Sequence, residues 1–386
     1  MPESAPAEPL KCHACGSLHI EEAAAYAAFH RVTSDCKPWP QGGRLIRCRD
    51  CGLVQTAVTD AWRDDADRIY RDYTIYHQSG GSEQRVFGGT GGVGQPRSER
   101  LIRAFRQAVT LPQTGRLLDI GCGNGSFLTA WSRAVPGWAL TGTEVNDKYR
   151  SLIEAIPGVE RLHTGPLPEL AGAYDVISLI HVLEHIPDPV SFLDGLRSLL
   201  RPGGLLLVEV PDCGQNPSML LVADHCSHFA PPLLAGVVAA AGFESVVATH
   251  QWVAKEVSVV GRRPVAPGST PALRLPEDSS REVFQGWTSL EAILARVQPL
   301  VSRPSFGLFG TAIAATWLDA QTGGAARFFV DEDPTRHGRT HLGRPILAPS
   351  DVPPGSTVFV ALPAVLAGEV TTRLRNVGRN LDIVTP

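Results

Sequence analysis

Leu117-Leu118-Asp119-Ile120-Gly121-Cys122-Gly123-Asn124-Gly125 decides how this chain folds. The run 116–120 reads as a buried strand, and 126–134 carries the apolar spacing of a helix. The three glycines between them let the backbone turn sharply and bring amides to the helix N-terminus, where a polar ligand can be held. Outward from this turn the signals keep alternating. Strands are expected at 139–144, 174–180 and 204–210, helices at 97–110, 189–200 and 233–241, and a closing pair of strands within 244–260. Such alternation marks a mostly parallel sheet wound by helices, an α/β fold.

Near residue 300 the pattern restarts. Ser305–Gly310 reads as a strand and a glycine turn, followed by helix at 312–320, strands at 326–330 and 357–362, and helix at 365–376. A Pro-, Gly- and Ser-rich stretch at 264–280 reads as the linker between the two units. At the other end, Cys12-His13-Ala14-Cys15-Gly16 and Cys48-Arg49-Asp50-Cys51-Gly52 are separated by 32 residues. Each CxxC pair chelates one edge of a metal, and the following glycine supports the turn. Two pairs complete a closed, structural four-cysteine zinc site through Cys12, Cys15, Cys48 and Cys51. The expected division is a zinc-binding module at 1–78, a central domain at 79–264, a linker and connecting helix at 265–299, and a smaller Rossmann-like α/β domain at 300–386.

Bulk properties exclude several function classes. The 386 residues carry a net charge of −4 with 43% apolar residues, so nothing calls for a nucleic-acid or membrane partner. No apolar run approaches the roughly 20 residues that span a bilayer, and Met1–Pro6 lacks the features of a secretory leader. The expectation is a cytoplasmic protein, monomeric or a small homo-oligomer.

Further marks follow the glycine turn in order. Asp119 precedes the glycines, which suits a cationic or zwitterionic ligand. Glu144 ends the second strand, where a carboxylate can accept from both hydroxyls of a ribose. His181-Val182-Leu183-Glu184-His185-Ile186-Pro187-Asp188-Pro189 follows the fourth strand, and Leu200-Arg201-Pro202-Gly203-Gly204 precedes the fifth. As an ordered set over about 97–262, these motifs resemble the class I S-adenosylmethionine-dependent methyltransferases. The resemblance implies that Gly121 and Gly123 contact the amino-acid part of the cofactor, Glu144 its ribose, and the loop at Gly165–Leu167 its adenine.

The three-part layout resembles, over nearly the whole chain, the sugar C-methyltransferases that act on nucleotide-linked 4-keto-deoxysugars. Cys51–Gln55, Tyr73-Thr74-Ile75-Tyr76-His77-Gln78-Ser79 and Val330–Pro334 with Gly338-Arg339 carry that likeness. It implies a base that removes the proton beside a ketone, after which the enolate attacks the methyl sulfonium. Within Val222-Ala223-Asp224-His225-Cys226-Ser227-His228-Phe229, the base falls on His225 and its carboxylate neighbour on Asp224. Tyr76 and His181 complete the catalytic candidates. Val222 stands where that family places a tyrosine, which keeps O-methylation of a sugar hydroxyl as the alternative. The C-terminal glycines Gly307 and Gly310 fall short of a dinucleotide fingerprint, so that domain is expected to wall the cleft rather than to bind a nicotinamide cofactor.

Overall fold

The computed structural model describes residues 10–73, 83, 85–86, 94–170, 172–266 and 268–386. Seven strands form the central sheet: β1 Arg116–Ile120, β2 Ala139–Thr143, β3 Val159–His163, β4 Tyr174–Ile180, β5 Leu200–Pro211, β6 Glu244–Thr249 and β7 Glu256–Arg262. Their order is 3-2-1-4-5-7-6, and β7 alone runs antiparallel to the others. Alternate residues of β1 and β4 feed opposite faces, as the pleat requires. Leu117 and Val176 pack with Leu101, Phe105 and Trp131. Leu118 and Ile177 pack with Leu193, Leu233 and Val237. The strand order reverses between β1 and β4, and ligands of such sheets lie outside the carboxyl ends of the strands at that point.

The C-terminal unit is a six-stranded sheet in which Phe306–Phe309, Phe328–Val330, Arg344–Leu347, Thr357–Phe359 and Asp382–Val384 run parallel. Helices Ile313–Gln321 and Ala364–Asn376 cover it.

The N-terminal module depends on its neighbour. Its strands Ile20–Glu22, Leu45–Cys48 and Val54–Thr56 are antiparallel, and the fourth strand of that sheet is Ser227–His228, contributed from beyond β5. A segment of about 60 residues has little core of its own, and borrowing a strand supplies one. The expected linker is also docked. Leu275 donates its amide to the Cys51 carbonyl at 2.8 Å, and the Ser280 hydroxyl donates to the Gly52 carbonyl at 2.5 Å. Composition pointed to a flexible connection there; backbone bonding to the second cysteine knuckle fixes it, and a long helix, Glu277–Val297, starts directly after.

Candidate active site

The glycine turn follows β1 as its sequence requires. Gly121, Gly123 and Gly125 all have positive φ, and a Cβ at Gly121 would lie 2.5 Å from a Val182 methyl. Only glycine fits there. Glu144 follows β2 and accepts hydrogen bonds from the Gly123 amide and the Val145 amide, both at 2.9 Å. Its two oxygens are thereby oriented at the turn, each with a further lone pair available. Asp119 is buried beneath the turn and accepts from the Ser178 hydroxyl at 2.7 Å; burial pushes its carboxyl up to about 7. Leu167 is half-buried at the start of a single helical turn, with Gly165 two residues before it.

Beyond β4 lies a dense polar cluster. His181 has a left-handed backbone, φ 56°, which aims its ring between two carboxylates: Nδ1 lies 3.3 Å from Glu184 and Nε2 3.3 Å from Glu256. Burial and the Arg97 guanidinium oppose its charge, but Glu256 and Glu184 prevail and push it up to about 9. Arg97 in turn faces Glu209, whose carboxyl burial raises to about 7. Its two carboxylate neighbours thus favour the imidazolium form of His181.

The segment after β5 is held from the N-terminal side. Tyr26 donates to the Leu220 carbonyl at 2.5 Å, the Ala223 amide donates to Val32 at 2.8 Å, and Trp62 donates to the Ala223 carbonyl at 3.0 Å. Asp224, fully buried, accepts from the Ser34 amide at 2.9 Å and the Ser34 hydroxyl at 2.5 Å. Sequence reasoning paired Asp224 with His225. The structure turns it elsewhere: the Asp224 carbonyl lies 3.0 Å and its carboxylate 3.4 Å from Nδ1 of His185. The His225 ring stands edge-on to His185 with centroids 4.6 Å apart, and burial with nearby His185 holds it well below the usual imidazole range. Glu184, His185 and His225 each bring one potential ligand atom within 4.8 Å of the others. Tyr76 lies outside the described residues. Tyr70, which no sequence pattern singled out, sets its ring 6.0 Å from His185.

The four knuckle cysteines converge as their spacing implies. Sγ atoms of Cys12 and Cys51, and of Cys15 and Cys48, are 3.6 Å apart, and all four lie within 4.8 Å of one another. Zinc–sulfur bonds of about 2.3 Å in a tetrahedron place sulfurs roughly 3.8 Å apart, so the donor set fits zinc. Gln55 donates to the Cys12 sulfur at 3.2 Å, and the Cys51 amide to the Cys48 sulfur at 3.4 Å.

With this geometry in view, a family model described as a methyltransferase domain matches residues 95–248. Residues 95–248 are a methyltransferase domain. It is an S-adenosylmethionine-dependent methyltransferase domain, and the glycine turn and Glu144 described above lie within it. The ubiquinone biosynthesis O-methyltransferase of Marinobacter nauticus is 34% identical over 118 residues, 28% of this chain and 48% of that protein. The protein of that name from Caulobacter vibrioides is 34% identical over 122 residues, 29% and 48% of the two chains. The chain thus spans about half the length of the curated relatives it matches. Among solved structures, an O-methyltransferase family protein from Burkholderia thailandensis is 20% identical with a TM-score of 0.36, over 44% of this chain and 58% of that one. A methyltransferase of calicheamicin biosynthesis with bound S-adenosylhomocysteine is 24% identical with a TM-score of 0.35, over 44% and 54%. Among the described residues no helix is long and apolar enough to cross a membrane.

Proposed function

We propose that the chain is an S-adenosylmethionine-dependent methyltransferase whose acceptor is a nucleotide-linked 4-keto-deoxysugar, methylated at a carbon beside the ketone. One observation carries the choice of a large acceptor: the C-terminal unit reaches the cofactor loop. Its Thr335 lines a cavity of about 400 Å³ together with Asn124 and Ser126 of the glycine turn. The N-terminal module separately holds the histidine cluster through Ser34 and Asp224, and contributions from all three units are what an acceptor with a sugar and a nucleotide end would call for.

The cofactor supplies the methyl group. The chain's own groups bind and orient, and the histidine cluster that includes His225 removes the acceptor proton. The electron pair left on the acceptor forms the new bond to the methyl carbon. The carbon–sulfur bond breaks toward sulfur, and the proton stays on an imidazole until it passes to water. We assign the four cysteines to one structural zinc; elemental analysis is expected to give about one zinc per chain and to lose it in Cys48→Ser.

A second reading, methylation of a sugar hydroxyl, has specific support. Val222 is a buried aliphatic side chain where the keto-sugar enzymes place a phenol, and the matched relatives are named O-methyltransferases. The two readings part on isotope exchange. In deuterium oxide, carbon methylation requires the enzyme to wash deuterium into a nucleoside-diphosphate 4-keto-6-deoxyhexose beside its ketone. Oxygen methylation with no such exchange would overturn the first reading.

A further inference from the structure

We infer that His185 is the imidazole that takes the acceptor's proton, and that Asp224 and Ser34 are its positioning residues, so that the zinc-bearing module sets the geometry of catalysis. The inference deepens the methyl-transfer reading by naming its base, and it rests on that reading only for the reaction.

The tautomer comes first. A carbonyl oxygen can only accept a hydrogen bond. Nδ1 of His185, 3.0 Å from the Asp224 carbonyl, must therefore carry the proton. The lone pair of the neutral ring then lies on Nε2, which has no hydrogen-bond partner among the described residues. When Nε2 accepts a proton, the Asp224 carboxylate, 3.4 Å from Nδ1, is in place to stabilise the imidazolium. This is the division of labour of a general base oriented by a buried acid. The side chain of His185 keeps 14% of its surface exposed, which gives the proton a route out.

His225 has none of these supports. The residue is 3% exposed, and its ring makes no hydrogen bond among the described residues. Its nearest aromatic partner is His185 itself, at 4.6 Å.

Asp224 in turn does not hold its own position. Both carboxylate oxygens are tied to Ser34, Oδ1 by the amide and Oδ2 by the hydroxyl. Ser34 lies in the loop between two short strands, Arg31–Val32 and Pro38–Trp39, and Val32 forms a bridge with Val222. Further along, Ser227–His228 is the edge strand beside Val54–Thr56, and Gln55 of that strand donates to the zinc ligand Cys12. One sheet thus ties the cysteine knuckles to the segment that carries Asp224. No sequence signal marked Ser34, which is 190 residues from its partner.

The test uses the full chain with S-adenosylmethionine and a nucleoside-diphosphate 4-keto-6-deoxyhexose as probe. His185→Gln is expected to lower kcat by at least about a hundredfold, the lower end of general-base contributions, while His225→Gln lowers it by less than about tenfold. Ser34→Ala keeps the amide bond to Asp224 and loses the hydroxyl bond, so kcat should fall by about three- to thirtyfold with KM little changed. Ser34→Thr, which restores a hydroxyl, should recover most of the loss; a packing defect would not be rescued in that way. Nitrogen-15 histidine NMR reads the geometry separately. His185 should be the Nδ1–H tautomer, and its downfield, slowly exchanging Nδ1 proton should broaden or shift in Ser34→Ala. The reverse ranking of the two histidine variants, or an Nε2–H tautomer at His185, overturns the inference. Should the wild-type chain leave the probe untouched, the acceptor reading fails, and the tautomer and its response to Ser34→Ala decide the inference alone.

Discussion

The chain contains the same device twice, once open and once filled. In the central domain a glycine turn follows the first strand and a carboxylate, Glu144, ends the second; among the described residues the carboxylate bonds only backbone amides. In the C-terminal unit Gly310 and Thr311 follow the first strand, and Asp331 ends the second. There the carboxylate is covered. Arg336 reaches back from the next turn to bond Asp331 at 3.0 Å and the Thr311 hydroxyl at 2.7 Å, with Asp333 at 3.7 Å on its other side. The guanidinium thus satisfies a carboxylate whose counterpart in the central domain meets backbone amides. Fold alone does not preserve a ligand site. What differs is whether a side chain of the protein itself satisfies the carboxylate.

The largest effect should come from reopening the filled turn. Arg336 and Asp331 are mostly buried, with 11% and 12% of their side chains exposed. Removing one partner of such a pair strands the other charge and costs about 3–5 kcal/mol. Arg336→Ala is therefore expected to lower unfolding stability in denaturant titrations by about that amount, with S-adenosylmethionine affinity unchanged. A variant as stable as the parent would mean that Arg336 is not the filling that separates the two turns.

The open turn responds in the opposite currency. Glu144→Ala removes the carboxylate we assign to the ribose, and a hydrogen bond to a charged group is worth about 1.5–3 kcal/mol. Calorimetry should show S-adenosylmethionine binding weakened roughly tenfold to 150-fold, with a smaller change in stability because Glu144 is only half-buried. Unchanged affinity in the folded variant would remove Glu144 from the cofactor site.

Legibility from sequence followed the range of the interactions. The turn at Gly121–Gly125 and the position of Glu144 could be read because strand, turn and helix are contiguous and each has its own local pattern. The cysteine knuckles could be read because metal geometry demands their internal spacing. The polar cluster beyond β4 was legible only in part: His181, Asp224 and His225 were named, but not how they pair. Asp224 lies next to His225 in the chain, yet the backbone carries its carboxylate to His185, 39 residues away, and to Ser34 in another module. The docked stretch around Leu275 was missed for a related reason: its composition is that of a linker, and the contacts that fix it belong to Cys51 and Gly52. Glu256 was hidden as well, since one acid at the start of a strand has no local signature, and only the antiparallel pairing of β7 with β5 brings it beside His181.

The smallest effect concerns the carboxyl beneath the open turn, and pH makes it readable. Burial raises Asp119 from 3.8 to about 7, while the Ser178 hydroxyl works against that rise. A folded-state pKa above the unfolded one means that the native protein binds this proton more tightly. The corresponding stability is complete below about pH 4 and is lost as pH climbs toward about 7. Ser178→Ala removes the hydroxyl's bond, which stabilises the ionised carboxylate more than the neutral acid. At pH 5 Asp119 is protonated in both folded proteins, so the variant should lose only about 0.5–1.5 kcal/mol, the value of an ordinary hydrogen bond. At pH 8 the parent has an ionised Asp119 held by Ser178 and the variant does not, so the deficit should widen toward about 1.5–3 kcal/mol. Denaturant midpoints at the two pH values measure the difference directly. A deficit that is equal at both would show that Asp119 does not titrate in this range; a deficit of about 0.5–1.5 kcal/mol at both would mean a neutral acid throughout, and one of about 1.5–3 kcal/mol a carboxylate ionised throughout.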